Sequence, residues 1–242
     1  LGNSTTLSAR PTRARMQLAS LWMKSLGQAG IRLAKLDEAG LPGQTKALRE
    51  ILTEAERLVL DTETDQPLRL DAIEALGNGS ELHGNTAAVF QKMLAPSETS
   101  AVRHGTIRAV GNMTAAGAAK LLLAAWPGLV ANERASALDV LLSRGTWQES
   151  LLKGMESGQV SINGFSLVHR DRLLKSANKA VAKRARGVFA NEAEGDRAGA
   201  LAKFAPALKL GGDADKGRLV YDMRCAVCHA PDKQLGPDLR SI

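Results

Sequence analysis

Near the end of the chain two thiols and an imidazole stand in the order Cys225-Ala226-Val227-Cys228-His229. Thiols three positions apart can add to the two vinyl groups of one porphyrin, and a histidine directly after the second can place an imidazole nitrogen on the iron. The spacing therefore predicts covalent attachment of haem c, with Cys225 and Cys228 holding the porphyrin and His229 as the metal ligand. Thiol–disulfide exchange also uses Cys-x-x-Cys, but there the pair opens a helix after a strand in an αβ fold, and no segment here reads as strand. A zinc site needs further ligands at partner spacing, and the other histidines, His83, His104 and His169, are scattered along the chain. The chain has 2 cysteines in 242 residues, too few for a disulfide scaffold, so cysteine is used here for chemistry.

The flanks of the motif sharpen this expectation. Gly217, Tyr221 and Cys225 fall at i, i+4 and i+8, on one face of a helix leading into the motif. A glycine and an aromatic there resemble the N-terminal helix of class I cytochromes c, where they pack on a C-terminal helix. Gly236-Pro237-Asp238-Leu239 resembles the Gly-Pro-x-Leu turn of the same class. The resemblance implies that the Pro237 carbonyl accepts the other imidazole N–H of His229, fixing the ring and raising its basicity.

The elements that must carry this site read as helices throughout. Only 3% of residues are aromatic, Ala and Leu abound, and apolar residues recur at three- and four-residue spacing, which predicts an all-α protein. One helix is expected from about 132 to 144, with Asn132 as N-cap, Ala137, Leu138, Leu141 and Leu142 on one face, and Gly145 as a left-handed C-cap. Another is expected from about 178 to 190, with Val181, Ala185, Val188 and Phe189 inward. Further helices are expected near 12–36, 44–60, 66–77, 84–95, 99–112, 115–125, 147–157 and 194–209. Trp22, Trp126 and Trp147 read as packing anchors, and the three lone histidines as surface or helix-end residues.

Some of these helices repeat. Arg69-Leu-Asp-Ala-Ile-Glu-Ala-Leu-Gly77 matches Arg103-His-Gly-Thr-Ile-Arg-Ala-Val-Gly111 at a shift of 34 residues, with Arg, Ile, Ala and Gly coincident. A weaker echo runs from Arg134 to Leu142, 31 residues further on, and a looser one from Ala182 to Phe189. Two helices per 30–40 residues predict a HEAT-like α-solenoid in which each pair buries its apolar face on its neighbours, with Ile73, Ile107 and Leu138 as equivalent inward positions. A generic helical bundle is the alternative. After residue 208 the composition shifts to Leu210-Gly-Gly-Asp-Ala-Asp-Lys-Gly217, which places a boundary at 209–212 between a repeat domain, 1–208, and the start of a haem-binding domain, 209–242.

The repeats, the stretch from Arg134 through Trp147, the 208–218 link and the motif with its Gly-Pro-Asp-Leu resemble together the planctomycete-type haem-binding-domain proteins. In that family HEAT-like repeats precede a class I cytochrome c domain, often behind a quinoprotein-dehydrogenase-like β-propeller. The resemblance covers most of residues 65–242 and is strongest in the last thirty. It implies electron transfer through a c-type haem, the repeats serving as spacer or docking platform, an exported or periplasmic location, and an electron partner that is a redox protein or an attached dehydrogenase domain. Two departures stand out: there is no propeller, and the sequence ends 13 residues after His229, before any segment able to carry a distal ligand. With no initiator methionine and no leader, the chain reads as an excised piece, the truncated start of the cytochrome domain included. No catalytic nucleophile, paired-carboxylate site or Gly-rich phosphate loop is visible, so dehydrogenase catalysis is expected outside these residues. The rival classes are a structural repeat protein with a redox-inert Cys-x-x-Cys and a thiol–disulfide oxidoreductase.

The formal net charge is +7. Arg170, Arg172, Lys175, Lys179, Lys183, Arg184 and Arg186 stand against Asp171 alone, seven cations less one acid giving +6 in this segment. The pattern suits a solvated helix face better than a dock for an acidic redox partner or an anionic envelope surface. Nucleic acid is not an expected partner, since no aromatic residues interleave with the charges. The longest apolar stretch, Ala118 to Val130, contains Lys120 and Pro127-Gly128, so no membrane span is expected.

Overall fold

The computed structural model describes residues 12–115 and 117–229, without the side chains of 191–198, 200, 227 and 228. Among the described residues every regular element is a helix and none is a strand. Contacts divide the chain into two compact units, residues 1–191 and 192–242.

In the first unit, α1 (Thr12–Gln28), α2 (Gln44–Leu60), α3 (Gln66–Asn78), α4 (Thr86–Met93), α5 (Ser100–Asn112), α6 (Ala118–Ala125), α7 (Ala131–Leu141), α8 (Gly145–Glu156) and α9 (Leu167–Leu174) follow in order. The odd helices α1, α3, α5 and α7 pack each on the next, and so do the even helices α2, α4, α6 and α8; across the two rows α2 packs on α1 and α3, α5 on α4 and α6, and α7 on α8. Ile73, Ile107 and Leu138 are fully buried, as their equivalence in the repeat predicts. Trp126 and Trp147 are buried in the same core, and Trp22 packs partly buried against it. Burying each Ile or Leu of this kind contributes about 1.5–3 kcal/mol.

The polar residues of the repeat have physical roles. A helix leaves its last carbonyls unpaired. Arg69 donates from Nε to the Val59 carbonyl at the end of α2 (2.7 Å), Arg103 from Nη1 to Pro96 O after α4 (3.1 Å), and Arg134 from Nε to Trp126 O after α6 (3.3 Å). Arg69 thus caps the end of α2, while Arg103 and Arg134 hold the turns that follow α4 and α6. Two of them also reach forward: Arg69 holds Glu98 through both terminal nitrogens (2.9 and 2.7 Å), and Arg103 holds the fully buried Glu133 (2.8 Å). Gly77 answers a different need. A Cβ there would lie 2.6 Å from the Ala109 carbonyl oxygen, so glycine lets α3 and α5 approach closely.

Several local expectations are corrected. The helix expected over 12–36 ends at Gln28, where Gly30 takes a left-handed φ of 74°. The helix expected from Asn132 starts at Ala131 and is capped by Glu133, whose carboxylate accepts the Val130 N–H (3.1 Å); Asn132 instead accepts from the adjacent Glu133 N–H. Gly145 is not a left-handed cap, because it opens α8. The segments expected as separate helices over 178–190 and 194–209 form one helix, α10 (Lys179–Phe204), followed by a 3-10 turn over Ala205–Lys209. The short helix α9 was not expected. His169, in its first turn, is buried rather than on the surface: Nε2 lies 3.3 Å from Asp139, and Phe165 meets its ring edge-on.

Candidate functional site

The link before the motif is extended at Leu210 and continues through Gly211 and Gly212. Asp213 then starts α11 (Ala214–Arg224) by accepting the N–H groups of Asp215 and Lys216, both at 3.1 Å. These bonds, first that from the Lys216 N–H and then the Lys216 ammonium, hold the Asp213 carboxyl below its ordinary range. A carboxylate on the positive end of a helix is the favourable arrangement, so the Gly/Asp-rich link is also a helix start.

The α11 helix delivers the motif. Its capping residue Cys225 donates its N–H to the Tyr221 carbonyl (2.8 Å), and α12 (Ala226–His229) follows at once, with the His229 N–H on the Cys225 carbonyl (2.9 Å). Tyr221, Cys225 and His229 are thus linked in i, i+4 steps through successive helical bonds. The Tyr221 hydroxyl donates to the His229 carbonyl (3.2 Å), tying the tyrosine of the leading helix to the last residue of the motif. That tie is a site contact the spacing of glycine and tyrosine did not reveal. Cys225 is half-buried and forms no disulfide, and His229 is half-buried as well. The side chain of Cys228 and all of Pro237 lie outside the described residues.

The helix that leads into the motif is largely exposed. Leu219, Val220 and Met223 on α11 are each more than half exposed, and a Cβ on Gly217 would meet no described atom within 4 Å. This donor set fits a covalently held haem. Two thiols at the attachment spacing precede an imidazole, while Leu219, Val220 and Met223 fall on the face of α11 opposite Gly217, Tyr221 and Cys225.

The other ligand-type residues are dispersed. His83 Nε2 pairs with Glu56 (2.6 Å), which also takes a bond from Asn85, while His104 Nδ1 lies against its own helix at Ser100 O (2.9 Å). Among the described residues no three His, Cys, Asp or Glu side chains come together as a metal site. No described helix is long and apolar enough to cross a membrane. Neither a protein-family profile nor a curated protein nor a solved structure matches the chain.

Proposed function

We propose that the chain is an electron carrier in which haem c is held by Cys225, Cys228 and His229, with Pro237 as the carbonyl partner of the His229 imidazole. The observation that carries this reading is the Cys-x-x-Cys-His string delivered directly by the end of α11, with the Tyr221 hydroxyl bonded to the His229 carbonyl. When bound, the group supplies a one-electron ferric/ferrous couple. This chain's own residues fix and orient: the two cysteines anchor, the Tyr221 hydroxyl steadies the backbone of His229, and Asp213 starts the helix that presents them all. We read the alternating helix rows of the first unit as a HEAT-like solenoid that acts as spacer or docking platform. The resemblance to planctomycete-type haem-binding-domain proteins extends the proposal to an exported protein, attached to or serving a dehydrogenase.

The test is covalent haem. Exported in a host with the attachment machinery, the chain is expected to keep a pyridine haemochrome spectrum after acid-acetone extraction, and Cys225→Ser with Cys228→Ser is expected to abolish it. A parent without covalent haem, or a double variant that keeps it, overturns the reading in favour of a structural repeat protein or a thiol–disulfide enzyme.

A further inference from the structure

The basic segment of the first unit is sorted by the structure into cations that serve the fold and cations that do not. Arg184 holds Glu156 through two bonds (3.0 and 2.6 Å), Arg172 reaches Asp139 (3.2 Å), Lys175 pairs with Asp171 (2.8 Å), and Arg170 lies over the Phe189 ring (5.3 Å). Lys179, Lys183 and Arg186 have no ion-pair partner among the described residues, and all three are exposed. They occupy i, i+4 and i+7 of α10 and so share one face over about 10 Å of helix. With Lys175 and Ser176 from the preceding turn they border an open hollow of about 590 Å³.

Nothing in the fold requires this arrangement. Lys179 opens α10, where the helix dipole disfavours positive charge, and Lys183 follows one turn on. The N-terminal N–H groups are already taken, since Asn178 Oδ1 accepts from Ala180 and Val181. A row of like charges there raises the local potential, which steers an oppositely charged partner toward it. The same face selects that partner's class. None of the side chains bordering the hollow is aromatic, so bases would find nothing to stack on. None is an exposed large apolar residue of the kind an interfacial membrane helix inserts.

We infer that Lys179, Lys183 and Arg186 form a docking face for the carboxylate-rich surface of an acidic protein. The inference stands whether or not the chain carries haem, because it uses only the first unit.

The experiment measures binding of the full chain to fluorescent poly-L-glutamate at about 0.02 M and 0.15 M salt, with phosphatidylglycerol vesicles and duplex DNA as comparison probes. Binding that weakens with salt is expected. Lys179→Gln, Lys183→Gln and Arg186→Gln together are expected to weaken it at least tenfold. The charge-matched set Lys24→Gln, Lys46→Gln and Lys92→Gln, exposed elsewhere on the unit, is expected to change it less than twofold. Lys179→Arg with Lys183→Arg is expected to retain it. Equal losses in both glutamine sets, tighter binding to vesicles or DNA than to polyglutamate, or no binding at the lower salt each overturn the proposal.

Discussion

At the scale of single residues, Glu133 shows what a buried charge needs. Its side chain is fully buried, and burial alone would raise its carboxyl pKa; the Val130 N–H, the Arg103 guanidinium and the Ser100 hydroxyl outweigh that, so the net shift is downward from the ordinary 4.5. A carboxyl lowered on folding contributes stability that is complete above its unfolded value and is lost as pH falls through its folded value. Glu133→Ala leaves Arg103 without its partner and is expected to cost about 3–5 kcal/mol near neutral pH. In urea unfolding the gap between parent and variant should narrow below pH 4.5. A gap that stays constant from neutral pH down to about pH 3 contradicts this account.

Among the helices, the repeat glycines make a paired experiment. Gly77 and Gly111 are equivalent in sequence, yet a Cβ on Gly77 strikes the Ala109 backbone at 2.6 Å, whereas one on Gly111 meets Val140 methyls at an ordinary 3.5 Å. Gly77→Ala is expected to destabilise by about 1–3 kcal/mol. Gly111→Ala is expected to be neutral or to stabilise by up to about 1 kcal/mol through helix propensity. Thermal melts of the two variants check both signs. The same helices show what was legible beforehand. Apolar spacing located α2, α3 and α5 to within a residue or so, because each buries a continuous stripe. It failed at α9, which is eight residues long and opens on the exposed Leu167 and Val168, so its apolar pattern points the wrong way. Caps were the least legible. Asn132 has the right residue type, but Glu133 reaches back to Val130 and starts the helix one residue earlier. At the motif, the spacing from Gly217 to His229 was plain in the sequence; the Tyr221 bond to the His229 carbonyl depends on how α12 turns after Cys225, which residue types do not encode.

For the whole chain, the methionines bear on what could complete an iron site. Of its 6 methionines, Met16, Met23, Met93, Met113 and Met155 are buried in the core of the first unit, and only Met223 is exposed, two residues before Cys225. A core methionine could not leave without opening a cavity costing about 2–5 kcal/mol. On the proposed reading, haem-loaded chain is therefore expected to lack the methionine-sulfur-to-iron charge-transfer band and, when reduced, to bind carbon monoxide readily. Absorption spectra with and without carbon monoxide decide it, and a chain that already shows the band refutes the expectation.

The arginine contacts of the first unit also bear on how such a chain can change length. Arg69 and Arg103 each reach back to a carbonyl at or just after the preceding even helix and forward to an acid 29 or 30 residues on. Excising residues 69–102, one whole period, puts Arg103 where Arg69 stood, with Val59 behind it and Glu133 still ahead. That shortened chain is expected to melt cooperatively, while excision of two residues fewer, which shifts Arg103 away from the Val59 carbonyl, is expected to melt at lower temperature; circular dichroism distinguishes the two. Loss of a whole period at this junction is therefore expected to be tolerated better than loss of part of one, the arginine contacts setting the register.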